Sequence, residues 1–191
     1  RQISNIKTFE YGSVYSFKPE TDGKTLASYE EHTCYALFMS GQPEKSWRVD
    51  PGKGNYFQLK GYLELLLKRF GCDIYSLETE AAPADLFSEG LAYSLPGSRQ
   101  PLAVMGTISP ARLKQFGIKQ PVFAAEINWP TFFTLIKRNK IKYSELPKFP
   151  EVRRDLALLL DESVSYADLR KSALRVGKKL LKQVGLFDVY R

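Results

Sequence analysis

The chain has 191 residues, 43% of them hydrophobic and 26% charged, with a formal net charge of +7. That length allows one good core, or one core and a smaller second unit, and the composition is ordinary for a soluble globular protein. No apolar run approaches the ~20 residues a membrane helix needs, and the opening stretch RQISNIKTFEYG has no signal-peptide core.

Residues 5–17 carry alternating apolar and aromatic side chains and predict two extended pieces bending near Gly12. An abrupt start in strand-like sequence suggests that something upstream is missing. Residues 18–32 are polar and read as a surface loop, and 33–39 as a strand. His32, the lone histidine, is expected at the surface. Residues 41–54 are loop-rich. Their Gly52-Lys53-Gly54 lacks the remaining glycine, the Lys-Ser/Thr ending and the preceding strand of a phosphate loop.

The strongest helix spans 55–70. Asn55 is a good N-cap with Gln58 placed to complete a capping box, and Gly71 stops the helix. Phe57, Leu59, Leu63, Leu66, Leu67 and Phe70 form a broad apolar face that Tyr62 and Leu65 widen. A helix apolar on so much of its circumference packs on more than one side. It is either central in its domain or faces a partner chain.

Residues 72–77 read as a strand, 78–89 as an acidic loop, and 91–95 and 102–108 as strands. Ser109 caps a short helix running to Phe116, with Pro110 at its first position. A strand over 121–127 and a helix from Pro130 to about Asn139 follow. Strands adjacent in sequence favour a mainly antiparallel sheet with helices on one face, an α+β fold. Residues 140–148 are a linker.

The last stretch reads strand, helix, strand: 153–160 extended, a helix capped by Ser165 with Asp168 behind it and stopped by Gly177, then 180–190 extended. Tyr166, Leu169, Ala173 and Val176 form the apolar stripe of the helix. Arg170, Lys171, Arg175, Lys178 and Lys179 lie off it. From residue 140 onward there are 12 Lys+Arg against 7 Asp+Glu, whereas residues 1–139 hold 16 against 14. Most of the positive charge therefore sits on the last quarter, the footprint of a part that meets phosphates or of a solvated helix face.

Two signatures carry a resemblance. FPEVRRDLAL, then a helix, then LFDVYR resembles the opening half of the ferredoxin-fold anticodon-binding domain of the large (beta) subunit of bacterial phenylalanyl-tRNA synthetase. YFQLKGYLELLLKRFG, with the segment over residues 95–129, resembles the catalytic-like domain of the same family, although Ser109 stands where the family usually has His. The resemblance implies an α+β fold with a class II synthetase-like core over residues 1–147. An incomplete ferredoxin-like βαβ unit follows over 148–191, stopping inside its second strand as a fragment would. Such a unit leaves strand edges and a helix face uncovered, so residues beyond about 150 are expected to dock weakly or to be completed by swapping with another copy.

By resemblance, the chain is a non-catalytic part of phenylalanine–tRNA ligase. It holds the catalytic alpha subunit in an α2β2 assembly and binds tRNA, in the cytoplasm and away from membranes. ATP and magnesium belong to the whole enzyme, with no cofactor expected in this fragment. The residues agree. No Gly-x-Gly-x-x-Arg occurs, no nucleophile stands beside His32, and Cys34 and Cys72 make no metal pattern and are expected as buried free thiols. The expected tRNA contacts are Arg153, Arg154, Arg170, Lys171, Arg175, Lys178 and Lys179, with a local ion pair as the simpler role for Arg154 beside Asp155. Two other classes fit the composition alone: a free-standing RNA-binding module with a ferredoxin-like unit, and a small-molecule-sensing domain.

Overall fold

The structure is a computed structural model that describes residues 5–42, 47–48, 52–98, 100–138, 143, 145–146 and 148–190. Parts of the expected loop 41–54 and linker 140–148 lie outside the described residues, as does Asn139. The chain divides into two compact units, Arg1–Tyr143 and Ser144–Arg191.

The first unit is built on a six-stranded sheet: β1 Ile6–Phe17, β2 Tyr29–Ser40, β3 Glu78–Ala81, β4 Phe87–Ser94, β5 Pro101–Ile108 and β6 Val122–Asn128. Their order is β1-β2-β6-β5-β4-β3, and each neighbouring pair is antiparallel. The register sets Tyr35 opposite Ile127, Leu37 opposite Ala125, Met39 opposite Phe123 and Met105 opposite Ala125. Side chains two apart share a face, so these residues make one apolar surface. Helix α1, Tyr56–Arg69, lays Leu59, Leu63 and Leu67 on it, and α3, Trp129–Arg138, adds Phe132. All four are at most 1% exposed. Each stabilises the fold by about 1.5–3 kcal/mol relative to leaving it in water.

Local chemistry sets most helix ends. Asn55 Oδ1 accepts from Gln58 N at 3.0 Å, and Gly71 follows the helix with φ of 78°. The reciprocal half of the box is not made, because Gln58 Oε1 is buried without a partner. Ser109 takes the N-cap position of α2, Pro110–Gln115, and its carbonyl accepts from Leu113 N. Among the described residues its hydroxyl has no hydrogen-bond partner, and it is buried. Asn128, which the sequence reading passed over, accepts from Thr131 N at 3.0 Å and starts α3.

Four expectations are corrected here. β1 does not bend at Gly12: twelve consecutive pairs with β2 run straight through it, and a paired ladder outweighs the weakness of one glycine. β2 begins earlier, at Tyr29, and His32 is a half-buried strand residue. Residues 72–77 contain a 3-10 turn, Ile74–Ser76, in place of a strand. There Asp73 Oδ1 accepts from Tyr75 N at 3.1 Å, and this local bond takes the backbone donor a ladder would need. The acidic stretch 78–89 holds β3 and the start of β4. Glu78 and Glu80 are tolerated because β3 is an exposed edge, where charge blunts unwanted pairing.

In the second unit, α4, Tyr166–Gly177, is the only regular element among the described residues. Ser165 Oγ accepts from Asp168 N at 3.2 Å and donates to Asp168 Oδ2 at 2.7 Å, so the expected cap is formed. Tyr166 Oη donates to the Val184 carbonyl at 3.0 Å, tying the helix to the segment after it. The expected strands over 153–160 and 180–190 are not formed, and Leu156, Leu159 and Phe187 are exposed. A strand exists only through a ladder. In a split βαβ unit the two strands flank a third and do not bond each other. The half-buried line of α4 is Tyr166, Leu169, Arg170, Ala173, Leu174 and Gly177, whereas Val176 is exposed.

Candidate nucleic-acid interface

The cations of the second unit sort by their place on α4. Lys171 and Arg175 are one turn apart on one exposed side of α4, and Lys178, also exposed, follows at the C-cap. Lys179 is exposed just beyond. Cations in and after the last turn also complement the helix dipole, which works against a purely RNA-directed origin for them. Lys178 occupies the left-handed region, with φ of 44°, as the chain turns out of the helix.

Arg170 departs from expectation. It lies on the half-buried line with Leu169 and Ala173, and its Nε is enclosed, so its stem packs against the unit. Arg153 and Arg154 are exposed on the extended segment ahead of α4. The structure thus groups Lys171 and Arg175 on one helical side, with Lys178 exposed at the helix end, and sets Arg170 apart from them. Lys182, exposed after the helix, was missed, and its charge alone was the signal.

The first unit offers acid–base chemistry little to work with. Burial pushes the Cys34 thiol up to about 11, helped by the charge of Glu126, whose Oε1 accepts from Sγ at 3.4 Å. Burial and the neighbouring Asp73 raise Cys72 too. Both cysteines are free and buried, as expected, and stay protonated at neutral pH. Tyr93 is raised by burial and by Glu64, whose Oε1 accepts from Tyr93 Oη at 3.1 Å and pairs with Lys60 Nζ at 3.2 Å. This set ties α1 to β4. An open cavity of about 490 Å³ beside α2 is lined by apolar Ile108, Pro110, Leu113 and Ile118 and by Lys114 and Lys119, with no histidine, cysteine or carboxylate in its wall. Among the described residues no group of three His, Cys, Asp or Glu is placed to hold a metal, and no helix is long and apolar enough to cross a membrane.

An exposed aromatic row marks this unit instead. Every residue of β1 is exposed, including Phe9, Tyr11, Tyr15 and Phe17 on one side of the strand. Phe9 stacks on Tyr35 with centroids 5.8 Å apart, and Tyr11 meets Trp129 edge-on at 5.3 Å, so the row borders α3. Two exposed surfaces therefore stand out. One is a cationic helix side and the other an aromatic sheet margin.

The phenylalanyl tRNA synthetase beta chain CLM domain matches residues 1–129, and the ferredoxin-fold anticodon binding domain matches residues 147–191. The chain belongs to the phenylalanyl-tRNA synthetase beta chain family. Relatives in that family include the phenylalanine–tRNA ligase beta subunits of Bacteroides fragilis, 37% identical, and Bacteroides thetaiotaomicron, 38% identical. Each aligns over 193 residues, covering 100% of this chain and 23% of the relative. The chain thus spans about a quarter of the length of the relatives it matches. A solved pyrrolysyl-tRNA synthetase from Desulfitobacterium hafniense is 15% identical, with a TM-score of 0.46, over 71% of this chain and 42% of that one. Lys171, Arg175 and Lys178 all fall inside the anticodon-binding match of the family.

Proposed function

We propose that this chain is a non-catalytic part of the beta subunit of a phenylalanine–tRNA ligase. Its first unit binds the catalytic alpha subunit and its second unit contacts tRNA. The observation that carries the reading is the pair Lys171 and Arg175, exposed on one side of α4 with Lys178 exposed at its end, within the segment that matches an anticodon-binding domain. A cationic group of this kind holds phosphates, while single-stranded bases stack on neighbouring apolar or aromatic faces. Exposed aromatics along β1 are consistent with a large subunit contact, since obligate interfaces are more hydrophobic than the remaining surface.

Activation of phenylalanine, with its ATP and magnesium, belongs in this reading to the alpha subunit. An α2β2 assembly working in the cytoplasm is the form this reading expects. The test uses the parent protein. Purified gently from its own cell, it should bring down a smaller chain in equal amount, and the complex should catalyse phenylalanine-dependent ATP–pyrophosphate exchange. A lone chain without exchange activity that still binds RNA would replace this reading with a free-standing RNA-binding module.

A further inference from the structure

Helix α1 is apolar on two opposite sides. Leu59, Leu63 and Leu67 recur every four residues and are buried on the sheet. Phe57, Gly61 and Leu65 recur at the same spacing, half a turn away, and face outward, with Phe57 74% and Leu65 64% exposed. A Cβ built on Gly61 meets nothing within 4 Å. The outer line is therefore a shallow saddle, with a large apolar group on either side of a bare stretch of backbone. Glycine costs a helix interior stability, and neither a turn nor a left-handed φ requires it here. A glycine between two knobs along an i±4 ridge suits one purpose well: it lets a second helix cross closely, its ridge seated in the groove.

Charge narrows the occupant. Lys68 and Arg69 are exposed at the C-terminal end of the line. The one carboxylate on α1, Glu64, is already bonded by Tyr93 Oη and Lys60 Nζ. A second copy of α1 would bring no free acidic group to meet those cations. RNA would find two exposed aromatics that are already engaged: Phe57 meets Tyr56 edge-on at 5.5 Å, and Tyr62 carries Lys7 Nζ 5.5 Å from its ring centroid, a poor stacking platform. A polypeptide helix with an apolar stripe and acidic flanks satisfies both the saddle and the charges.

We infer that the Phe57–Gly61–Leu65 face of α1 seats an acidic-flanked amphipathic helix of the catalytic subunit, crossing at Gly61. This rests on the reading that the chain binds such a subunit, and it adds where and by what kind of element.

The experiment takes the full chain with the catalytic subunit of the same organism and measures their dissociation constant. It compares the parent with Gly61→Leu, Leu65→Lys and a control, Leu26→Lys, at another exposed leucine, 91% open to solvent. Gly61→Leu and Leu65→Lys should each weaken the complex at least tenfold. The free chain carrying Gly61→Leu should melt no lower than the parent, because leucine favours the helix and the site is open. Leu26→Lys should bind as the parent does. Parent-like binding by both α1 variants overturns the inference while the proposed function stands. So does a parallel fall of binding and melting temperature in Gly61→Leu, which would mark a structural role. Failure of the parent to bind any catalytic subunit overturns the proposed function itself, and this inference with it.

Discussion

One substitution made at two glycines should move stability in opposite directions. Gly106 on β5 faces Gly90 on β4 across the ladder. A Cβ on Gly106 would fall on the Glu89 carbonyl oxygen and on the Phe87 ring, and a Cβ on Gly90 would meet the Met105 carbonyl oxygen in the same way. Backbone cannot swing aside as a flexible side chain can, so Gly106→Ala must part β4 from β5 or displace Phe87, which is 4% exposed. Overpacking of this kind costs about 1–3 kcal/mol. At Gly61 the added methyl meets open space, and replacing glycine by alanine in a helix interior is worth about 0.5–1 kcal/mol in favour of the fold. The two variants should therefore differ by roughly 1.5–4 kcal/mol, the sum of these ranges. Urea unfolding followed by tryptophan fluorescence measures this cleanly. Both tryptophans, Trp47 and Trp129, belong to the first unit, so the signal excludes the second. Gly106→Ala should lower the urea midpoint and Gly61→Ala raise it, with the slope unchanged in each. A Gly106→Ala midpoint at or above the parent's would refute the close approach of β4 and β5 on which the argument depends.

Other outcomes can be checked with less effort. The pair Lys171→Glu and Arg175→Glu should weaken tRNA binding and flatten its dependence on salt. Loss of two phosphate contacts reduces the log–log slope by about 1.4 for a single strand, and an unchanged slope would exclude these residues from the phosphate contact. Ser165→Ala removes the oxygen that accepts from Asp168 N and should cost α4 about 0.5–2 kcal/mol, visible as a loss of helical circular dichroism. Stability should fall between about pH 9 and 11. Cys34 is raised from 9.0 to about 11, so above pH 9 the unfolded chain sheds the proton that the folded chain retains. That contribution is complete below pH 9 and lost as pH rises through 11, with Cys72 and Tyr93 acting in the same direction. For the same reason Cys34 should resist iodoacetamide at pH 8.5 in the folded chain and react promptly in urea.

Much of this protein is legible in short stretches of sequence, and the reason is range. Asn55, Gly71, Pro110 and Ser165 act within one turn of themselves, through capping bonds or backbone conformation that no distant residue has to supply. The helices they bound, α1, α2 and α4, consequently stand where the local pattern puts them. The apolar stretch of β2 from Thr33 on, β5 and β6 are equally visible, because strand residues that face a core must be apolar wherever their partners lie.

What escaped depended on neighbours far along the chain. Continuity of β1 through Gly12 follows from its ladder with β2, and the acidic β3 is a strand because β4 pairs with it. Residues 153–160 have strand composition without a strand, since a single extended segment has nothing to bond. The sequence likewise put basic residues on α4 but could not sort them. Only packing shows that Arg170 turns inward with Leu169 and Ala173 while Lys171, Arg175 and Lys178 stay exposed. The broad apolar face of α1 was visible from its leucines. That it is two faces, one closed on the sheet and one open around Gly61, was decided by which side the sheet occupies. Intrinsic preference and capping are properties of neighbours in the chain, and sequence alone determines them. Pairing, burial and the direction a charged side chain takes are properties of neighbours in space, so only the folded structure decides them.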